Sequence, residues 1–226
     1  MLDSIFEPSE VAFQWREEKR EEQYRNYTLV QEKKVIVVTS RGWVSKDGNA
    51  CMRFARFQNE QIDITTLIIF PTNDTSLFPI FVVELVLVMD KIHRCIVDVE
   101  PVTLLSKPLI DTYFSSLYTK NQDLLEQLND RPDWFTDIQS PYAIYATCNA
   151  SEVHKVETIV DSYFSMFMLE YINGQKLPVF EQVKDHVSVA EYKKHHVSHS
   201  PAKSIIKGEN EAWLNQFLEH NHFKIL

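Results

Sequence analysis

Alternation of apolar and polar positions, and short runs apolar on both faces, dominate residues 28–102 of the 226-residue chain. Five runs rich in β-branched and aromatic residues predict five successive strands: VIVVTS (35–40), CMRFARF (51–57), IDITTLIIF (62–70), PIFVVELVLVM (79–89) and RCIVDVEPV (94–102). The segments between them, SRGWVSKDGN, QNEQ, PTNDTSLF and DKIH, are short and polar. A parallel crossover needs about a dozen residues or more, so these connectors predict antiparallel neighbours and a meander.

Elsewhere the period is helical. Residues 8–27 begin with Pro8-Ser9 and continue with dense charge and few breakers, which predicts a solvated helix in an N-terminal extension over residues 1–30. Residues 108–128 place Leu109, Tyr113, Leu117, Leu124, Leu125 and Leu128 near one stripe, before RPDW breaks the pattern. PYAIYA (141–146) predicts one more short strand. The clearest helix covers 151–171, where Val153, Val156, Ile159, Val160, Tyr163, Phe164, Phe167, Met168 and Tyr171 recur at three- and four-residue steps behind a capping Asn149 or Ser151. Gly174 and Pro178 end it, and two further helices follow at about 186–198 and 208–219. Strands first and helices after predict an α+β fold, a three-layer α/β/α sandwich with a central antiparallel sheet, in a single domain over 1–226.

Composition narrows the function. With 44% apolar and 24% charged residues the chain has material for a large core, and a net charge of −9 argues against a protein that tracks nucleic-acid phosphates. The four glycines, Gly42, Gly48, Gly174 and Gly208, are spaced too widely for a dinucleotide fingerprint or a Walker-type loop. Cys51, Cys95 and Cys148 form no CxxC half-site and no paired framework, which fits a reducing compartment. The N-terminus lacks the pattern of a signal peptide, and the greasiest stretch, 78–89, is too short to span a bilayer, so a soluble cytoplasmic protein is expected.

Glu84 is the most informative position, because it stands inside IFVVELVLVM with apolar neighbours on both strand faces. A carboxylate there is either bonded structurally to a neighbouring strand or raised in pKa by desolvation and able to donate a proton. Asp98 and Glu100 alternate onto one face of their strand and read as a solvent-facing edge. His195 and His199 are i,i+4, but no HExxH glutamate or acidic third ligand accompanies them, so no metal is expected. There is no GxSxG elbow and no cysteine with an activating neighbour.

The order of segments resembles the ferredoxin-dependent bilin reductases. Phe70-Pro71, then Pro79-Ile80-Phe81-Val82-Val83-Glu84, is similar to a family signature of Phe/Tyr-Pro, about seven residues, then Pro-hydrophobic-hydrophobic-Gly-x-Asp. CIVDVEP (95–101), SPYAIY (140–145) and a C-terminal block with Tyr192, Ser200-Pro201-Ala202-Lys203, Glu211-Ala212-Trp213 and Phe223 follow in the family's order, so the likeness spans roughly residues 35–226. The resemblance implies a linear tetrapyrrole, biliverdin or a partly reduced bilin, held between the sheet and the C-terminal helices of a monomer. It implies single electrons from reduced ferredoxin, protons from pocket side chains, radical intermediates and no tightly bound cofactor. Glu84 then falls on the family's central aspartate as main proton donor, and Thr66 on its histidine or asparagine. Ser200 falls on the C-terminal aspartate, with His199 beside it, and Lys203 on the arginine position. Glu84, Ser200 and His199 are thus the expected catalytic residues, with Thr66, Phe70, Val86, His196 and Lys203 against the substrate. Lys193, Lys194, Lys203, Lys207, Arg41 and Lys46 are candidates for the face that meets acidic ferredoxin. A non-catalytic tetrapyrrole carrier, a reductase of an open-chain chlorophyll catabolite and a plastid location remain open.

Overall fold

The computed structural model describes residues 15–19, 22–31, 34–72, 78–102, 107–174 and 189–222. Its described residues form a nine-stranded sheet of β1 (Trp15–Glu17), β2 (Asn26–Gln31), β3 (Lys34–Ser45), β4 (Ala50–Gln58), β5 (Ile62–Pro71), β6 (Ile80–Val88), β7 (Lys91–Glu100), β8 (Glu126–Gln127) and β9 (Ile144–Asn149). The order is β1-β3-β4-β5-β6-β7-β9-β8, with β2 also paired to β3, and every pairing is antiparallel. The helices are α1 (Glu22–Arg25), α2 (Lys107–Asn121), α3 (Asp133–Thr136), α4 (Val153–Gly174), α5 (Val189–His199), α6 (Ala202–Ile205) and α7 (Glu211–Gln216).

Period-two alternation sorts each central strand between two cores. Phe54, Leu67, Phe81, Val83, Leu85 and Val97 face Ile110 and Phe114 of α2 and Val156, Tyr163 and Phe167 of α4. Phe167 sits 5.2 Å from the Phe81 ring, centroid to centroid. On the opposite face Ile68, Phe70, Val82 and Ile96 meet Tyr192 of α5, while Ile36, Val38, Phe57 and Ile64 meet Ala202 of α6 and Leu214 of α7. Helices therefore cover both faces of the antiparallel sheet, as the element order predicts.

Departures from the expected elements have tertiary causes. Within the described part of 8–27, which excludes 8–14, 20 and 21, only α1 is helical; residues 15–17 and 26–31 are strands on the outer edge of β3. The charges of this stretch serve contacts rather than a solvated helix: Glu17 pairs with Arg25 at 3.1 Å, and Glu18 with the fully buried Arg53 at 3.0 Å. Residues 40–45, read as a connector, continue β3 to the turn at Gly48, whose φ of 76° suits glycine. The β6–β7 connection shrinks to Met89-Asp90 with Met89 at φ 55°, so DKIH contributes mostly to β7. The helix from 107 stops at Asn121, whose side-chain amide donates to the Leu117 carbonyl at 2.8 Å, and residues 126–127 become a strand beside β9. The strand expected at 141–146 is shifted to 144–149, because Ser140 and Tyr142 form a turn anchored on Asp98.

Candidate functional site

On the sheet face below α5, alternate positions of three adjacent strands carry a polar row through an apolar wall. Thr66 of β5 is directly opposite Glu84 of β6, and Arg94 of β7 is opposite Val86, one diagonal step from Glu84. The Arg94 Nη2 lies 2.8 Å from Glu84 Oε1. Thr66 and Glu84, with Ala55, Phe57 and Ile68, form the floor of a narrow cleft roofed by His196, Ser200 and Pro201 and closed by Leu218 and His222. It holds about 20 Å³, room for a single water. A second cavity of about 660 Å³ adjoins it through Ser200 and Pro201 and is lined by Val86, Arg94, Tyr145 and His199 among others.

Burial sets the electrostatics. Glu84 is 5% exposed, and burial raises its pKa against the opposing pull of Arg94 and His196. His196, half-buried over the cleft, is pushed down to about 4 by desolvation, although Glu84 draws it the other way. The imidazole is thus neutral at pH 7. Further along β7, Asp98 and Glu100 point to the same side and are each raised to about 8, chiefly by burial. Asp98 accepts from the Ser140 hydroxyl at 2.5 Å, the Ser140 amide at 2.9 Å and the Val99 amide at 2.7 Å. Glu100 lies 3.8 Å from His196 Nε2 and beside the Tyr192 hydroxyl, yet among the described residues neither of its buried oxygens makes a hydrogen bond of ordinary geometry. The pair is fully enclosed, which overturns the reading of Asp98 and Glu100 as a solvent-facing edge. Their strand is covered on both faces, so alternation does not mean exposure.

A cleft between an antiparallel sheet and C-terminal helices, with an acid in its floor, is the arrangement that the resemblance to the bilin reductases implies. A sequence profile of the ferredoxin-dependent bilin reductases matches residues 4–223. The chain belongs to this family. The match begins well before residue 35, so it takes in the N-terminal strands of this bilin reductase family member. A solved structure, phytochromobilin synthase from tomato in complex with biliverdin, shares the fold at a TM-score of 0.73 and 11% identity, over 98% of this chain and 81% of that one. No curated protein matches the chain by sequence.

Of the residues expected at the site, Glu84, Thr66, His196 and Ser200 meet in the narrow cleft, and Val86 and His199 line the wider cavity. His199 is exposed and stacks on Trp134, centroids 5.3 Å apart and planes within 7°. Phe70 lines neither cavity: it is sealed in the core with the Arg53 guanidinium 5.8 Å and the Lys193 ammonium 4.6 Å from its ring. Lys203 also lines neither, although its neighbour Ser204 lines the wider one; burial first, then the charges of His195, His196 and Lys203, lower the His199 pKa. Of the basic candidates, Lys194 and Lys207 are exposed, whereas Arg41 donates to the carbonyls of Arg25 and Ser40. Among the described residues no group of three His, Cys, Asp or Glu is placed to hold a metal ion, and no helix is long and apolar enough to cross a membrane.

Sequence reasoning did not single out Arg94 or Trp134, and it gave Glu100, Tyr192 and His222 no place at the site. For Arg94 and Glu100 a signal was present. Both share the phase of Ile96, and a strand next to the doubly apolar 79–89 run is covered on both sides, so those polar groups had to be inward.

Proposed function

We propose that this family member reduces a linear tetrapyrrole seated between the sheet and the C-terminal helices, taking electrons singly from reduced ferredoxin and a proton from Glu84. One observation carries the reading: a buried carboxyl, raised above its ordinary range, opens into a cleft shared with Thr66, His196 and Ser200. The wider cavity has the volume of a ligand site and would take most of the pigment, with one edge reaching Glu84. Adding an electron to an extended conjugated system makes it basic, and a neutral carboxyl in contact neutralises it without bringing in bulk water. His196, unprotonated at neutral pH, accepts a hydrogen bond or relays a proton, while Thr66 and Ser200 orient polar edges of the pigment. His199 lines the helix-side wall. Exposed Lys194 and Lys207 offer ferredoxin positive charge on an otherwise acidic molecule.

The test is the absorbance of the purified protein with biliverdin, before and after reduced ferredoxin is supplied without oxygen. Conversion to a new pigment is expected, and Glu84→Gln is expected to slow it about 10²-fold or more. A complex that persists unchanged points to a carrier, and turnover of Glu84→Gln within about threefold of the parent removes Glu84 from the donor's role.

A further inference from the structure

The Glu84–Arg94 pair sits at the junction of the two cavities, and its two members face different ones: Glu84 lines the narrow cleft, Arg94 the wide cavity. The contact is close but badly aligned. At 2.8 Å between Arg94 Nη2 and Glu84 Oε1 the charges touch, yet among the described residues neither Glu84 Oε1 nor Arg94 Nε, both buried, makes a hydrogen bond of ordinary geometry. Arg94 thus keeps an unused donor beside a partly used one on the guanidinium edge, the fork that a planar carboxylate fills bidentately. The Trp134 ring lies beside that fork, 5.9 Å from the guanidinium carbon. On the same strand Lys91 adds a second positive charge to the cavity wall, whereas the acidic Glu126 and Asp130 belong to the β8 side, beyond β9.

We propose that Arg94 is a carboxylate-operated switch: a propionate side chain of the bound tetrapyrrole takes the guanidinium from Glu84, and Glu84 takes up a proton as its counter-ion leaves. The inference rests on the functional reading above and adds to it the means by which the donor is loaded only when substrate is present. The groups facing Glu84 fix the sign. Burial raises its pKa, and Arg94 from β7, followed by His196 from α5, opposes that rise; Tyr145 of β9, Glu100 of β7, Tyr192 of α5 and His222 at the C-terminal end stand around them. Of these Arg94 acts most strongly against burial, so diverting it to another anion leaves burial unopposed by its main counterweight and raises the pKa further. In the empty protein the same pair keeps an isolated charge from being buried alone, so neither acid nor arginine is stranded before substrate arrives. Arg94 acts here through Glu84 and is a positioning residue with respect to the reacting bonds.

Linkage makes the switch measurable, since a ligand that raises a group's pKa must bind with proton uptake. Biliverdin and its dimethyl ester, which has the same chromophore without carboxylates, are titrated calorimetrically into the full chain at about pH 7 in buffers of different ionisation enthalpy. Expected is uptake of a substantial fraction of one proton with the diacid and none with the ester. Glu84→Gln abolishes the uptake while retaining diacid binding, and Arg94→Met abolishes it and weakens the diacid about tenfold or more, to the level of the ester. Equal uptake with diacid and ester, or uptake that survives in Glu84→Gln, overturns the switch. The comparison of the two pigments on the unmodified chain decides the matter even if a variant fails to fold. Failure of both pigments to bind overturns the tetrapyrrole reading itself, whereas binding without proton exchange overturns the switch alone.

Discussion

Asp98 and Glu100 carry a residue-scale consequence that does not depend on the reaction. Each ordinarily titrates near 4 in an unfolded chain and is raised to about 8 in the fold by burial, with the Glu100 charge adding to the effect on Asp98 and the Glu84 charge to that on Glu100. Between those values the folded state holds protons that the unfolded state has released. Stability is therefore greatest below about pH 4 as far as these groups go and falls as pH rises through about 8, by at most about 1.4 kcal/mol per pH unit per group. Denaturant midpoints measured at about pH 5.5 and about pH 8.5 are expected to drop on the alkaline side, and Asp98→Asn or Glu100→Gln should flatten the slope. A parent midpoint that stays level across this range contradicts the shifts. The sequence shows where these acids stand in their strand, but their burial comes from Ser140 and α5, which approach from 42 and about a hundred residues away in the chain.

At the scale of elements, α5 is the weakly amphipathic piece that roofs the site; Tyr192 seats it on the sheet and α3 ties down its C-terminal half. His195 donates from Nε2 to the Trp134 carbonyl at 2.7 Å, His199 stacks on the Trp134 ring, and Arg94 packs on that ring from the sheet. RPDW, legible only as a breaker, is thus the clasp between the helix roof and the polar row of the floor. Trp134→Ala should cost about 2 kcal/mol of stability and raise amide exchange in α5 more than in the central strands. Unchanged exchange in α5 would show that the roof is held elsewhere. The i,i+4 spacing of His195 and His199 was visible in the sequence; that both rings meet Trp134 required the loop to be in place.

For the whole molecule, the sheet separates two tasks. The α2–α4 face has an apolar core, with Phe167 fully buried between Phe78 and Phe81, while the opposite face carries Glu84, Asp98, Glu100, His196 and both cavities of the candidate site. Phe167→Ala is accordingly expected to remove about 3–5 kcal/mol of unfolding free energy while leaving pigment affinity of the folded protein within about twofold. A large loss of affinity at unchanged fold would mean that the two faces are coupled. The sequence by itself determined the antiparallel meander, the long α4 and the burial of Glu84, because side-chain periodicity and connector length are local and a doubly apolar strand can only be covered on both sides. Tertiary structure alone decided that the charged N-terminal segment becomes edge strand, that Arg94 meets Glu84, and that Asp98 is closed off by Ser140. Those outcomes depend on register between strands and on helices arriving from far along the chain, and a charged residue's local pattern is the same whether its partner is water or an ion buried beside it.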